Sequence, residues 1–270
     1  MKRMLPLLLA TALAAPNVFA HEPIFGLGPR TIWKNGIGFE TELEREREEL
    51  DRIWALKYEL LYGITPDLAI TLELPHLLQK QVGTETDSGL GDILLRGKWR
   101  FYRHEVWGGM YQAAVLGGVE FPTGDTAGVG LGSGSYDYFL GLAGGYEGRR
   151  WLGIGAARYR FNTQNAQGFA RPDVVLYDLA VGIRPVKTAY TRPDVVFMFE
   201  INGEVFRHAE QDGRRVPGTS GDRMFAALGT WITYRNWAFK PGIQLPLAQH
   251  MGPLRQERDL RAVFAVEFHY

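Results

Sequence analysis

Apolar and polar residues alternate with a period of two along most of this chain, and that rhythm constrains the fold more than any motif does. From Leu260 to Tyr270 the even positions are Leu260, Ala262, Phe264, Val266, Phe268 and Tyr270, while the odd positions include Arg261, Glu267 and His269. Successive side chains of a strand point to opposite faces, so this segment has one wholly apolar face and one that carries charge. The pattern recurs upstream. Trp54, Leu56, Tyr58, Leu60 and Tyr62 alternate with Lys57 and Glu59, and Ile93, Leu95, Trp99 and Phe101 with Arg96, Lys98 and Arg100. Val175, Tyr177, Leu179, Val181 and Ile183 alternate with Asp178 and Arg184.

The alternation predicts about twelve strands, near 36–46, 52–62, 67–75, 90–102, 106–121, 134–147, 150–162, 172–184, 193–206, 222–234, 236–247 and 258–270. Each has at least about nine residues, the length a tilted strand needs to cross the bilayer core. Short connections at 63–66, 103–105, 148–149 and 235, with a somewhat longer one at 185–192, alternate with longer polar ones at 47–51, 76–89, 122–133, 163–171, 207–221 and 248–257. Short turns at one end and long loops at the other are the pattern of an outer-membrane barrel. Tyr62, Tyr102, Trp107, Tyr146, Trp151, Tyr234, Trp237 and Tyr270 sit beside the short turns or at the chain end, as an interfacial aromatic girdle requires. A secreted β-sandwich also alternates, but its strands average only about five or six residues. The expected fold is therefore all-β: a transmembrane antiparallel up-and-down β-barrel of about 12 strands in the bacterial outer membrane.

The chain of 270 residues opens with Lys2 and Arg3, an apolar run from Met4 to Ala15, and Val18-Phe19-Ala20, which places small residues at the −3 and −1 positions of a cleavage site. Residues 1–20 are thus expected to be a cleaved signal peptide, 21–35 a periplasmic N-terminal segment and 36–270 the barrel. The mature chain then has 28 basic and 30 acidic residues, a formal charge of −2. That balance argues against a nucleic-acid partner, which draws a basic excess. The absence of cysteine excludes disulfides, a thiolate nucleophile and Cys-ligated metals. No nucleotide motif is present, and no plug domain or energy-coupling segment is expected ahead of the barrel. Passive movement of solutes is the expected mechanism.

An Arg or Lys facing lipid at the bilayer midplane costs about 2–4 kcal/mol, so charged faces belong in the lumen. The candidate lumen-lining residues that would set selectivity are Glu40, Glu42, Glu59, Arg96, Lys98, Arg100, Glu120, Asp137, Arg158, Arg160 and Glu200. Two readings stand side by side: a polar channel with a basic ladder (Arg96, Lys98, Arg100, Arg158, Arg160) facing acids, or an interior plugged by ion pairs. No cofactor is expected. The single metal candidate is His21, whose free α-amino group and imidazole would together suit Cu(II). His76, His208 and His250 fall in outer loops and read as solvated. An enzyme of outer-membrane lipase type would need a Ser beside a His at the lipid rim. Ser88, Ser133, Ser135 and Ser220 have no histidine two residues away on the same strand, so an enzyme is not expected.

Four short stretches carry a family resemblance: His21-Glu-Pro-Ile-Phe-Gly-Leu-Gly-Pro29, Gly89-Leu-Gly-Asp-Ile93, Phe121-Pro-Thr-Gly124 and Gly132-Ser-Gly-Ser-Tyr136. With them the chain resembles the outer-membrane transporters grouped as the "MetA-pathway of phenol degradation" family. The resemblance implies a twelve-stranded barrel that passes small, often hydrophobic or aromatic, compounds through the outer membrane. Some relatives accompany heavy-metal efflux systems, which keeps a plugged structural or binding barrel linked to metal handling as the alternative. The resemblance transfers no catalytic or binding residue. The expected partners are outer-membrane lipid and a small-molecule solute. N-terminal sequencing of the mature protein is expected to read from His21; a retained Met1 would contradict the cleavage.

Overall fold

A computed structural model describes residues 22–49, 51–186, 188 and 191–270. The expected signal peptide and His21 lie outside these residues. The described residues form strands, turns and loops: β1 (Ile37–Glu48), β2 (Asp51–Thr65), β3 (Leu68–Val82), β4 (Glu85–Leu90), β5 (Ile93–Val106), β6 (Gly109–Phe121), β7 (Asp137–Gly148), β8 (Trp151–Phe161), β9 (Phe169–Ala170), β10 (Val174–Ile183), β11 (Asp194–Phe206), β12 (Ala209–Gln211), β13 (Arg214–Val216), β14 (Gly221–Tyr234), β15 (Trp237–Met251) and β16 (Arg258–His269). Twelve of them close an antiparallel barrel in the order β1-β2-β3-β5-β6-β7-β8-β10-β11-β14-β15-β16. The seam is β1 against β16, in register from Gly38 opposite His269. Tyr270 N–H donates to Ile37 O (2.8 Å) and Ile37 N–H to Tyr270 O (3.0 Å), which ties the two ends together. Closure gives the backbone donors and acceptors of the wall strands partners within the wall, the condition for a sheet in lipid.

The wall strands run from 10 residues in β10 to 15 in β2, β3 and β15. Their outward faces carry Phe39, Leu60, Leu95, Leu140, Leu142, Leu179, Phe197, Leu228 and Phe264, all exposed around the whole circumference. A soluble protein could not display such a band; in a bilayer it is solvated by acyl chains. Tyr62, Tyr102, Trp107, Trp151, Tyr234, Trp237 and Tyr270 are exposed at the short-turn end. Tyr136, Tyr138 and Phe161 are exposed toward the loop end.

Several boundaries differ from expectation, each for a local reason. Strand β5 continues to Val106 and turns at Trp107-Gly108 instead of 103–105, because a bulge between Trp99 and Tyr102 resets its pairing with β6. The expected loop at 76–89 is instead β-structure: β3 runs on past a bulge and pairs with β4, with Lys80 opposite Asp87. The expected long loop at 47–51 is tight, since β1 and β2 pair up to Glu48 opposite Asp51. The 207–221 loop contains the β12–β13 hairpin, turned by Asp212 (φ 51°) and Gly213 (φ 73°). Both central residues there have positive φ, the hairpin turn that matches strand twist. Replacing Leu179, 59% exposed at the middle of β10, with Arg is expected to destabilise the barrel by about 2–4 kcal/mol in urea unfolding from lipid vesicles; an unchanged midpoint would contradict its lipid exposure.

Candidate functional site

The inner wall is built from the alternate residues of each strand, and its two halves differ in chemistry. Along β1 the even positions Glu40, Glu42, Glu44, Glu46 and Glu48 face inward because Phe39 and Leu43 face out. The barrel register sets Glu40 directly between Glu59 of β2 and Glu267 of β16. Like charges in directly opposed positions are destabilising, and cations from neighbouring strands offset this. Lys240 of β15 reaches across β16 to Glu40 (2.5 Å) and Glu267 (3.3 Å). Lys57 bridges Glu44 (2.5 Å) and Glu42 (3.2 Å), and Arg96 reaches Glu59 (2.8 Å). Arg261 pairs with Glu44, and Arg258 with Glu46. Arg223 joins Glu48 (3.0 Å) to Glu204 (2.8 Å) toward the loop end.

On the facing wall, Arg158 holds Asp178 (2.7 Å), which also accepts from Asn202 (2.9 Å), itself accepting from Gln244 (2.7 Å). Arg160 grips both oxygens of Glu120 (2.6 and 2.7 Å). Arg171, from the loop between β8 and β10, closes over this pair by bonding Glu120 (2.9 Å) and Asp137. At the short-turn end Arg100 is buried, donating to Asp67 (2.7 Å), Gln112 (2.8 Å) and Pro66 O (2.8 Å). Between these clusters the inner wall is apolar. Leu152, Ile154, Ala180, Val196, Met198, Trp231 and Ala238 form one patch, and Leu116, Ala143 and Ala156 a second. Strands β8 and β11 are thus apolar on both faces here, a feature that alternation alone does not reveal.

Residues 22–30 run along the inner wall of the barrel, whereas the sequence predicts a periplasmic segment at 21–35 and no plug. Glu200, fully buried on β11, accepts from the backbone N–H of Ile24 (2.5 Å) and Phe25 (3.1 Å). A carboxylate in a low-dielectric interior needs donors, and two adjacent amides supply them. Ile24 packs on the first apolar patch and Leu27 on the second. Glu22 pairs with Lys98, Arg30 with Glu147 (2.5 Å), and the Phe25 ring lies 5.4 Å from the Arg261 guanidinium. The segment leaves the lumen at the short-turn end, where Thr31 donates to Pro66 O (2.7 Å) and Trp33 meets His269 edge to face. Its apolar residues cover wall that would otherwise face water.

Three cavities follow one another along the lumen, and a fourth lies among the loop residues at the outer end. The outermost, about 520 Å³, is lined by Arg171, Arg207, His208 and Arg215. Below the Arg171 clasp, one of about 120 Å³ lies among Leu27, Glu120, Arg158 and Arg160. It shares Leu27 and Arg96 with a cavity of about 130 Å³, bounded by the N-terminal segment on one side and Glu40, Glu59, Lys98 and Lys240 on the other. That one shares Arg30, Thr31 and Trp33 with a short-turn vestibule of about 460 Å³. The narrow middle coincides with the segment.

The structure places Glu40, Glu42, Glu59, Arg96, Lys98, Arg100, Glu120, Asp137, Arg158, Arg160 and Glu200 on the inner wall. Instead of forming an open basic ladder, Arg96, Lys98, Arg100, Arg158 and Arg160 each meet a different carboxylate. Lys240, Arg171 and Arg223 were not singled out by alternation. A lone Lys between Trp237 and Ile243 was the available signal for the first. Of the histidines expected in outer loops, His76 lies instead in β3 and His250 in β15, 3.2 Å from Asp222, while His208 lies in the connection between β11 and β12.

A family model described as "MetA-pathway of phenol degradation" matches residues 20–226. The chain belongs to this family. No curated protein sequence matches it. Among solved structures it is similar to an outer membrane channel from Pseudomonas putida F1, at 13% identity and a TM-score of 0.71, covering 90% of this chain and 98% of that one. The NanC porin follows at 10% identity and 0.53, covering 85% and 98%. The beta domain of the Bordetella autotransporter BrkA gives 11% and 0.52, covering 87% and 99%. At these identities the likeness is one of fold, and it fits this family member's closed twelve-stranded wall.

The Arg158–Asp178 pair makes the energetics of the inner wall measurable. Arg158→Met alone is expected to destabilise by about 3–5 kcal/mol, because it strands a buried carboxylate, and the double variant with Asp178→Leu by much less. Urea unfolding in detergent checks this; a double variant as costly as the sum of the singles would contradict a coupled pair.

Proposed function

We propose that this barrel is an outer-membrane channel through which small solutes, hydrophobic and aromatic ones among them, cross by passive diffusion. The observation that carries the reading is the run of three cavities inside the closed wall, joined by shared lining residues from beneath the Arg171 clasp to the short-turn end. The lining has two chemistries. Paired charges on the β1–β2–β5 side hold water and exclude large ions, while the β8–β11–β14 side offers apolar contact. A solute with an aromatic body and a polar substituent meets both. The inner-wall residues Glu40, Glu42, Glu59, Arg96, Lys98, Arg100, Glu120, Asp137, Arg158, Arg160 and Glu200 would set selectivity through the field they create at the narrow middle.

An enzymatic reading gains nothing from the serines. Ser133 and Ser135 bond to one another, and Ser135 Oγ donates to Asp137 (3.0 Å). The one observation that favours a plugged binding barrel is the N-terminal segment in the lumen. Planar-bilayer recording of the purified full chain separates the two. The channel reading expects discrete current steps, enlarged by Arg171→Ala, which removes the clasp across Glu120 and Asp137. Absence of both current and flux of small aromatic solutes into vesicles would favour the plugged barrel.

A further inference from the structure

The wall beneath Ile24 is shaped to receive it. Gly229 of β14 and Gly242 of β15 stand directly opposite one another in the barrel register. Both belong to the inward-facing set, which continues through Ala227 and Trp231 on β14 and through Lys240 and Gln244 on β15. Two neighbouring positions without side chains leave a pit in the inner wall. A Cβ on Gly229 would lie 2.2 Å from Ile24 Cδ1, and one on Gly242 would lie 2.8 Å from Ile24 Cγ2 and 2.9 Å from the Phe25 ring. A side chain at either position would force Ile24 to move, and one on Gly229 would also lie 2.8 Å from the Pro241 carbonyl of the wall itself, so Gly242 is the position whose close contacts are with the segment alone. Around the pit stand Leu152, Ile154, Met198 and Trp231, so the seat is apolar on its sides and floored by glycine backbone.

The polar contacts that hold the segment in place are of a kind that water can replace. Glu200 receives two backbone N–H groups and would be rehydrated if they left, and Glu22 and Lys98 face the 130 Å³ cavity. The specific part of the interaction is the fit of one branched hydrocarbon group into a pit. Apolar burial is non-directional, so a small hydrocarbon of similar size gains from the same seat. Occupancy by the segment and by such a solute are mutually exclusive, and a solute at sufficient concentration shifts the population toward the displaced segment.

We infer that residues 22–27 are a tethered stopper seated in the Gly229–Gly242 recess, and that a small hydrophobic solute opens the channel by taking that seat. The inference rests on the channel reading. It makes the segment a competitor of the transported compound, so that the bore widens in response to the compound's presence.

Single-channel recording of four proteins tests it: the unaltered full chain, Gly229→Val, Gly242→Val and Ile24→Asp, each with and without toluene as probe. The valines add bulk to the inner wall and would narrow a rigid pore. The stopper account expects the reverse, a severalfold larger mean conductance in each, because the segment loses its seat. Toluene should raise the conductance of the unaltered chain severalfold and leave the three variants unmoved. Heat-modifiable gel migration verifies that each barrel is folded. If a wall variant does not fold, Ile24→Asp carries the same expectation without touching the barrel. Conducting variants that match the unaltered chain, or valine variants that conduct less, would overturn the stopper while leaving the channel standing. Silence from all four proteins would overturn both.

Discussion

A sheet in lipid cannot leave an edge, and every other feature of this molecule follows from that requirement. Unpaired amides and carbonyls in hydrocarbon cost several kcal/mol each, so the twelve wall strands close on themselves from β1 to β16. Once closed, the period-two geometry of a strand divides the side chains into two sets with opposite solvents. Leu140, Leu179, Phe197 and Leu228 are exposed to lipid for the same reason that Glu40, Arg96 and Asp178 point away from it.

Closure also fixes which interior charges are neighbours. Glu40 has Glu59 and Glu267 directly beside it, an arrangement that would repel were Lys240 not extended across from β15. The inner wall is therefore a set of clusters, each balanced locally, and no wall of one sign remains. The N-terminal segment joins this economy through Glu22 to Lys98 and Arg30 to Glu147. Its apolar residues answer a separate need: strands whose inward faces hold Leu152, Ile154, Met198 and Trp231 have no lipid to bury them, and Ile24 and Leu27 cover them instead.

Strand number, strand faces and the aromatic rim at the short-turn end were legible in the sequence because each depends on local alternation alone. Where alternation is broken, the reading failed. The bulges near Trp99 in β5 and between Leu77 and Lys80 in β3 shift the phase by geometry that no residue type announces. How the charged residues of the inner wall pair depends on strand register, which the sequence does not state. The position of residues 22–33 was hidden for a different reason. Glu22 to Gly28 has no period, and its placement depends on a recess made by Gly229 and Gly242 more than 200 residues away. Val195 to Ile201 is nearly continuous in apolar character, so its inward patch was masked by its lipid face.

The division of side chains between lipid and an enclosed interior is the claim on which the fold, the lumen and the stopper all depend. The chain contains no cysteine, so single cysteines can be placed one at a time along β7 and labelled with a fluorophore in vesicles containing a lipid-bound quencher. Labels at Tyr138, Leu140 and Leu142 are expected to be quenched by the lipid probe, and labels at Phe139, Gly141 and Ala143 to be spared. Uniform quenching along the strand, or uniform access from water, would contradict the barrel.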